Sequence, residues 1–310
     1  MFTKKAIVYP IIILSMIFWS MSFVWYKIVY QYFEPITTIF LRLIISSILL
    51  LIFTLIFKKL QKVKKEDYGL MIILAFFQPF LYFVGESFGM LYVSSTVAAV
   101  VISTIPLFTP ILAFFLFGER ISFYNVAGIF ISFFGVLMVI FNKNLTITAS
   151  PKGLLLLFIA VVAALSYSAL IIKLTKKYNS YTIITVQNVI GIFFFLPLFL
   201  IFDFKSFINI TFTWKMVLPL IELAVFASSL AFVFFIYGIK ELGITKANMF
   251  CNVIPVFTAI LAFFILKETL SSQKFLGIFI VIGGLFLSQI NFKKLKGKNY
   301  YLFKRFNYRT

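Results

Sequence analysis

Apolar residues in this chain run in long stretches of about twenty, and short segments carrying most of the charge separate them. A stretch of roughly 20 apolar residues is what a helix needs to cross the hydrocarbon of a bilayer. Read by that rule, the pattern predicts ten helices, at 6–26, 35–57, 69–92, 96–117, 122–141, 152–172, 182–202, 215–239, 244–266 and 273–290. The break between the third and fourth is the least marked. It is placed at Tyr92–Ser95, where Ser94 and Ser95 offer hydroxyls to cap the next helix. The expected fold class is an all-α membrane protein.

Composition narrows the class further. Hydrophobic residues make up 63% of the 310, charged residues 12%, and the mean hydropathy is +1.10. A soluble domain has about half its residues apolar and about a quarter charged. Ten crossings with short loops use nearly the whole chain, leaving one membrane domain, or two fused halves, and no soluble domain. Lys4 and Lys5 precede the first apolar run, but no small-residue cleavage site follows, so a retained first helix is expected rather than a signal peptide.

The net charge of +19 raises nucleic-acid binding as an option, and its distribution argues against it. Basic residues sit in short runs beside apolar segments, as they do on the cytoplasmic side of a membrane. Residues 291–310 mix Lys and Arg with aromatics and read as a cytoplasmic tail held to anionic lipid. With the N-terminus inside, 20 of the 28 Lys and Arg residues fall on the cytoplasmic side, seven fall on the other, and Arg42 lies within a helix. The count therefore predicts a multi-pass protein of the cell (plasma or inner) membrane with both termini cytoplasmic, which requires an even number of helices.

An internal repeat carries the most information. Shifted by 149 residues, Ser103–Gly135 falls on Asn252–Gly284 without a gap, and sixteen of those 33 positions are identical. Pro106 meets Pro255, Glu119 meets Glu268, Ser122 meets Ser271, and Gly128 and Gly135 meet Gly277 and Gly284. Gly89 and Gly238 keep the same offset. The first two helices of each half align only weakly. The shift spans five helices, an odd number, so the two copies are expected in opposite orientations: 1–141 as the first five-helix unit and 142–290 as the second. Inverted repeats of this kind are characteristic of secondary transporters and also occur in some channels.

These residues resemble a known family. The segment from Pro106 through Glu119 and Ser122 to Gly128 and Gly135, with its counterpart Pro255…Glu268…Gly277…Gly284, is similar to the end of an EamA repeat of the drug/metabolite transporter superfamily. Trp19-Ser20-Met21-Ser22-Phe23 followed by Lys27, and Pro35…Leu41-Arg42, are similar to that family's first two helices. The resemblance implies ten transmembrane helices as two inverted five-helix repeats and transport of small metabolites, often amino acids. The second repeat opens with Ser166-Tyr167-Ser168 and lacks the tryptophan common there.

Ionisable groups inside a bilayer are costly and are functional candidates by default. Arg42, Glu86 and Glu222 each fall about 10 Å below the outer surface at 1.5 Å per residue. They are read either as a self-neutralising structural cluster or as contacts for a charged substrate or a coupling proton. Pro106 and Pro255 are expected to kink their helices and free the carbonyls of Ile102 and Cys251. Ser103, Asn248 and Asn252 stand within two turns of those prolines, as interhelical hydrogen-bond partners or as the polar wall of a midplane cavity. Trp19 and Tyr82, with Tyr167 and Tyr237, are aromatic candidates for the same wall. Trp25 and Trp214 are read as interface anchors, Glu119 and Glu268 as loop-fixing residues, and Ser122 and Ser272 as N-caps.

The chain has no histidine and a single cysteine, Cys251, which removes His-based catalysis and any intrachain disulfide. It has no HExxH, phosphate-binding glycine loop or paired aspartates, so no enzyme, metal or cofactor is expected. The expected partners are a small-molecule substrate and lipid, with no nucleic acid; the oligomeric state is left open, with a monomer one option. The sequence therefore reads as a gradient-driven permease moving small metabolites, with amino acids and related compounds first and export the expected direction. Drug-like cations, lipid-linked sugars, a channel or a non-transporting membrane component are the alternatives.

Overall fold

The computed structural model describes residues 4–117, 121–141, 149–289 and 301–303. Among these the chain is helical, apart from a short pairing of Ile121–Ser122 with Tyr301–Phe303. We number the helices α1 (Lys4–Val29), α2 (Pro35–Ile56), α3 (68–92), α4 (95–117), α5 (Phe123–Ile140), α6 (Pro151–Thr175), α7 (Ser180–Phe207), α8 (Trp214–Leu242), α9 (244–266) and α10 (Ser272–Gln289). Among the described residues eight helices are long and apolar enough to cross a membrane, and Ser95–Thr109 and Ser272–Ser288 are shorter apolar helices.

Several ends follow from local chemistry. Pro35 starts α2 and Pro151 starts α6, where the missing N–H costs nothing. The Ser94 hydroxyl accepts from the Val97 N–H at 3.3 Å, and Ser122 accepts from Asn125 at 3.2 Å. At α10 the cap is Ser271, which accepts from Lys274 at 3.2 Å. The expected cap Ser272 is instead the first helical residue, so the cap falls on the repeat mate of Ser122.

Both prolines of the repeat mark a change of helical geometry. In α4 the helix stops at Ile102 and resumes at Ile105, with Ser103 and Thr104 in a turn between. Their hydroxyls donate to the Val100 and Val101 carbonyls at 2.7 and 2.6 Å, so the break is lined by hydrogen bonds made within the chain. In α9 a tighter 3-10 turn, Phe250–Val253, precedes Ile254 and Pro255. Helix α3 is kinked within Phe76–Leu81, where Gln78 leaves helical geometry (φ −150°, ψ 118°) ahead of Pro79, and α8 contains a wide π-helical stretch at Leu223–Leu230. The register of 149 residues lays one of these irregularities over the other.

The tightest helix pair joins α5 to α10. A Cβ on Gly135 would lie 2.7 Å from the Val281 nitrogen and 2.8 Å from the Gly277 oxygen, and one on Gly277 would lie 2.9 Å from the Gly135 oxygen. Gly128 faces the backbone of Gly284 and Ser288 in the same way. Each glycine thus meets the mate of the other, so the helices run antiparallel about a local two-fold axis. Ser132 lies beside that axis, and its hydroxyl donates to the carbonyl of its own mate, Val281, at 2.9 Å. Outward faces are apolar: Phe130, Phe133 and Phe134 are 59–69% exposed, which suits lipid.

Loops tie the halves together at one face. The segment after α2 is stapled to the α6–α7 turn: Gln61 N–H donates to the Thr182 hydroxyl at 2.9 Å, and Asn179 donates to the Lys59 carbonyl at 2.7 Å. Asp67 takes hydrogen bonds from Lys177 and Tyr178, both at 2.7 Å. The Asp67 hydrogen bond holds the Lys177 ammonium above the usual lysine value. A raised value means that the contribution is present in full below the ordinary lysine pKa and is lost only as pH climbs through the raised one. At the other face, Asp203 accepts from the Thr37 N–H and hydroxyl, both at 2.8 Å, in the first turn of α2.

Three outcomes are expected. Gly135→Leu should force α5 and α10 apart and destabilise the protein by about 1–3 kcal/mol or more. Gly283→Ala, which meets nothing within 4 Å, should leave thermal unfolding in detergent unchanged. Asp67→Asn should accelerate amide hydrogen exchange in 58–67 at neutral pH without altering exchange in α5 and α10.

Candidate functional site

Six helices, α1, α3, α4, α6, α8 and α9, surround a central cavity, and α2 reaches it through Arg42. The cavity has a volume of about 80 Å³. The lining obeys the repeat. Trp19 and Ser168, Phe83 and Phe232, Glu86 and Phe235, Ile102 and Cys251, and Ile105 and Ile254 all line it, and each pair is 149 residues apart. The cavity therefore straddles the axis that relates the halves.

The backbone is matched across that axis, but the chemistry is not. Arg42 and Glu86 are 2% and 4% exposed. The Arg42 Nε donates to the Ser228 hydroxyl at 2.7 Å, and its Nη1 donates to the Tyr26 phenol oxygen. Tyr26 in turn donates to Glu86 Oε2 at 3.2 Å, and Tyr82 donates to Oε1 at 2.8 Å. The guanidinium lies over the Phe83 ring, 4.3 Å from its centroid, and 5.1 Å from that of Tyr26. No carboxylate comes within 4 Å of Arg42 among the described residues. Arg42 and Glu86 are thus joined through a bridge, Arg42 to Tyr26 to Glu86, and not by a direct ion pair. The mates of Arg42, Tyr26, Tyr82 and Glu86 are Gly191, Thr175, Ala231 and Phe235, so the second repeat has no copy of the cluster.

The bridge leaves chemical capacity unused. A guanidinium has five N–H donors, and only two are engaged here. Each Glu86 oxygen accepts a single phenol hydrogen, whereas a carboxylate offers about four lone-pair sites. Beyond the cluster, Trp19 packs edge-on against Phe232 and Phe235 at 5.0 and 4.9 Å between centroids. Gln78 adds a buried amide at the kink of α3, and Asn248 adds another from α9. Asn248 also donates to the Thr109 hydroxyl at 3.2 Å.

Of the residues singled out in the sequence, Trp19, Arg42, Tyr82, Glu86 and Asn248 line this cavity, as does Tyr167. Ser103 and Asn252 are buried behind the wall, beside Pro106 and Pro255. Glu222 and Tyr237 do not line it. Glu222 is half-buried on α8 and is not part of the Arg42–Glu86 cluster, although its depth along the chain suggested that it would be. Trp25, expected at the interface, is buried beside Phe226 at 5.9 Å, whereas Trp214 is exposed. Glu119 lies outside the described residues.

Tyr26, Gln78 and Ser228 escaped the sequence reading. Tyr26 falls at the end of the predicted first helix, but α1 continues a further turn to Val29. Ser228 was one serine among many. Gln78 had a readable signal: a lone amide before Pro79 in an otherwise apolar run.

Comparison with known proteins agrees with this architecture. The model of the EamA-like transporter family matches residues 6–141 and 151–290. An uncharacterized transporter of Bacillus subtilis, YetK, is 29% identical over 261 residues, covering 82% of this chain and 78% of its own. An uncharacterized transporter of Archaeoglobus fulgidus is 26% identical over 280 residues, covering 89% and 96%. A solved crystal structure shares the fold with a TM-score of 0.69 at 14% identity, over 91% of this chain and 96% of that one. Two successive repeats, a cavity between them and a family match over both place this multi-pass membrane protein in the EamA-like transporter family.

Proposed function

We propose that the chain is a secondary transporter of the plasma membrane that moves small metabolites, amino acids and related compounds first among them, outward by alternating access. In this reading the ten helices are ten spans in two inverted halves, with both termini cytoplasmic. One observation carries the substrate reading: a cavity on the repeat axis holds a buried cation and a buried anion that do not touch each other. The uncommitted donors of Arg42 suit a carboxylate. The spare lone pairs of Glu86 suit an ammonium group. A zwitterion would leave the net charge of the site unchanged, which matters where desolvated charge is expensive. The Trp19, Phe232 and Phe235 rings would receive an apolar side chain. A cationic drug would instead meet the Arg42 charge, which weighs against that alternative.

Uptake and counterflow in proteoliposomes containing the purified protein test this reading. A panel of amino acids, their amides and their decarboxylated amines should show saturable transport of the amino acids only. Arg42→Gln and Glu86→Gln should each lower it by about tenfold or more, the loss expected when a hydrogen bond to a charged partner is removed. Glu222→Gln should retain activity. Wild-type protein that is folded but moves none of the panel would sink the substrate class; flux that never saturates would favour a channel.

A further inference from the structure

Glu268 does more than fix a loop. It stands two residues past the end of α9, beyond Lys267, whose φ is +58°. Its carboxylate reaches across to the start of α4 in the other repeat. Oε1 accepts from the Ser95 N–H at 2.8 Å, and Oε2 accepts from the Thr96 N–H at 3.3 Å and the Thr96 hydroxyl at 2.8 Å. A carboxylate against the first-turn N–H groups of a helix gains from both the hydrogen bonds and the helix dipole. The same face carries a second tie: the Lys27 ammonium, at the end of α1, donates to the Met90 carbonyl near the end of α3 at 2.5 Å, and it lies within electrostatic reach of Glu268. The Ser95 hydroxyl adds a bond to the Phe23 carbonyl at 2.9 Å.

These ties gather the ends of α1, α3, α4 and α9, all four of which line the cavity. Between the cavity and the clasped face lies a layer with almost no exposure: Tyr26, Val29, Met90, Val97 and Ala98 are each 0–2% exposed. Opening the cavity to this face requires α9 to part from α4 or α1 to part from α3. The carboxylate bonds cross from one repeat to the other, whereas Lys27 and Met90 belong to the same repeat. Parting the halves therefore breaks the Glu268 bonds first.

We propose that Glu268 is the gating clasp of this face, an inter-repeat latch that holds the cavity shut until the halves separate. The proposal rests on the transporter reading only in taking the cavity as the substrate site. Losing the charge weakens the latch without adding bulk, so Glu268→Gln favours the state open to this face. Thr96→Val removes the hydroxyl arm alone and acts in the same direction more weakly. Glu268 acts through helix positions and touches no substrate.

The chain carries its own reporter, because its single cysteine, Cys251, lines the cavity. Alkylation of Cys251 by a membrane-impermeant maleimide is measured in sealed vesicles of both orientations, without substrate. Lys267→Cys in a Cys251→Ser background identifies the clasped face, and a permeant reagent confirms that Cys251 reacts in the folded protein. The expected result is slow labelling of the wild type from the clasped face, about tenfold faster labelling of Glu268→Gln, as losing a charged hydrogen bond implies, and an intermediate rate for Thr96→Val. Unchanged clasp-side rates in both variants overturn the proposal, as does fast labelling of the wild type from that face. Faster labelling in a protein that transports nothing supports the clasp and defeats the transporter reading. Normal transport by the wild type with unchanged labelling of the variants does the reverse.

Discussion

Hydrocarbon supplies no hydrogen bonds, so every polar group that enters it must be satisfied by the chain itself. Much of the structure follows from that constraint. It makes the chain helical, and it accounts for the hydroxyls of Ser103 and Thr104 bonding to carbonyls where α4 breaks. It explains the seam of α2, α7 and α8, where Asn188 donates to Ser46 and Ser46 pairs with Ser229. It also governs Arg42. A guanidinium so deeply buried is tolerable because Ser228 and Tyr26 take two of its hydrogens and aromatic rings cover its faces.

The repeat converts that constraint into a cavity. Two copies of one helical unit pack about a local two-fold axis, and where α5 meets α10 glycines and a serine let the backbones touch. Near the cavity the same symmetry works against close packing. Pro106 and Pro255 break their helices at equivalent levels, and the kink of α3 falls in register with the π-helical stretch of α8. Irregular backbone of this kind is tolerated at membrane depth where it lies within protein or lines a cavity. A fold that is close to symmetric then carries its charged cluster on one side only. Divergence of side chains on a shared backbone gives the site a polar end and an apolar end.

Much was legible in the chain because the signals were local or periodic. Apolar run length located the helices within a few residues, and the 149-residue register picked out the glycines that lie at the α5–α10 seam. Arg42 and Glu86 were conspicuous because charge in an apolar run is rare. Glu222 was equally conspicuous, and depth along a helix could not tell it from the other two. Which way a residue faces depends on the rotation of its helix, and in a helix that is apolar on every side no hydrophobic stripe reports that rotation.

Class, helix positions, repeat and family resemblance are all written in the order of residues, because hydrophobic length and a gapless register are properties of order along the chain. Tertiary structure alone decided that Tyr26 bridges Arg42 and Glu86, that Glu222 stands apart from them, that Gln78 reaches the cavity and that Glu268 crosses to α4. Those partners are 16 to 173 residues apart in sequence. Helix rotation and packing set the contacts between them, and no local pattern in the chain encodes either.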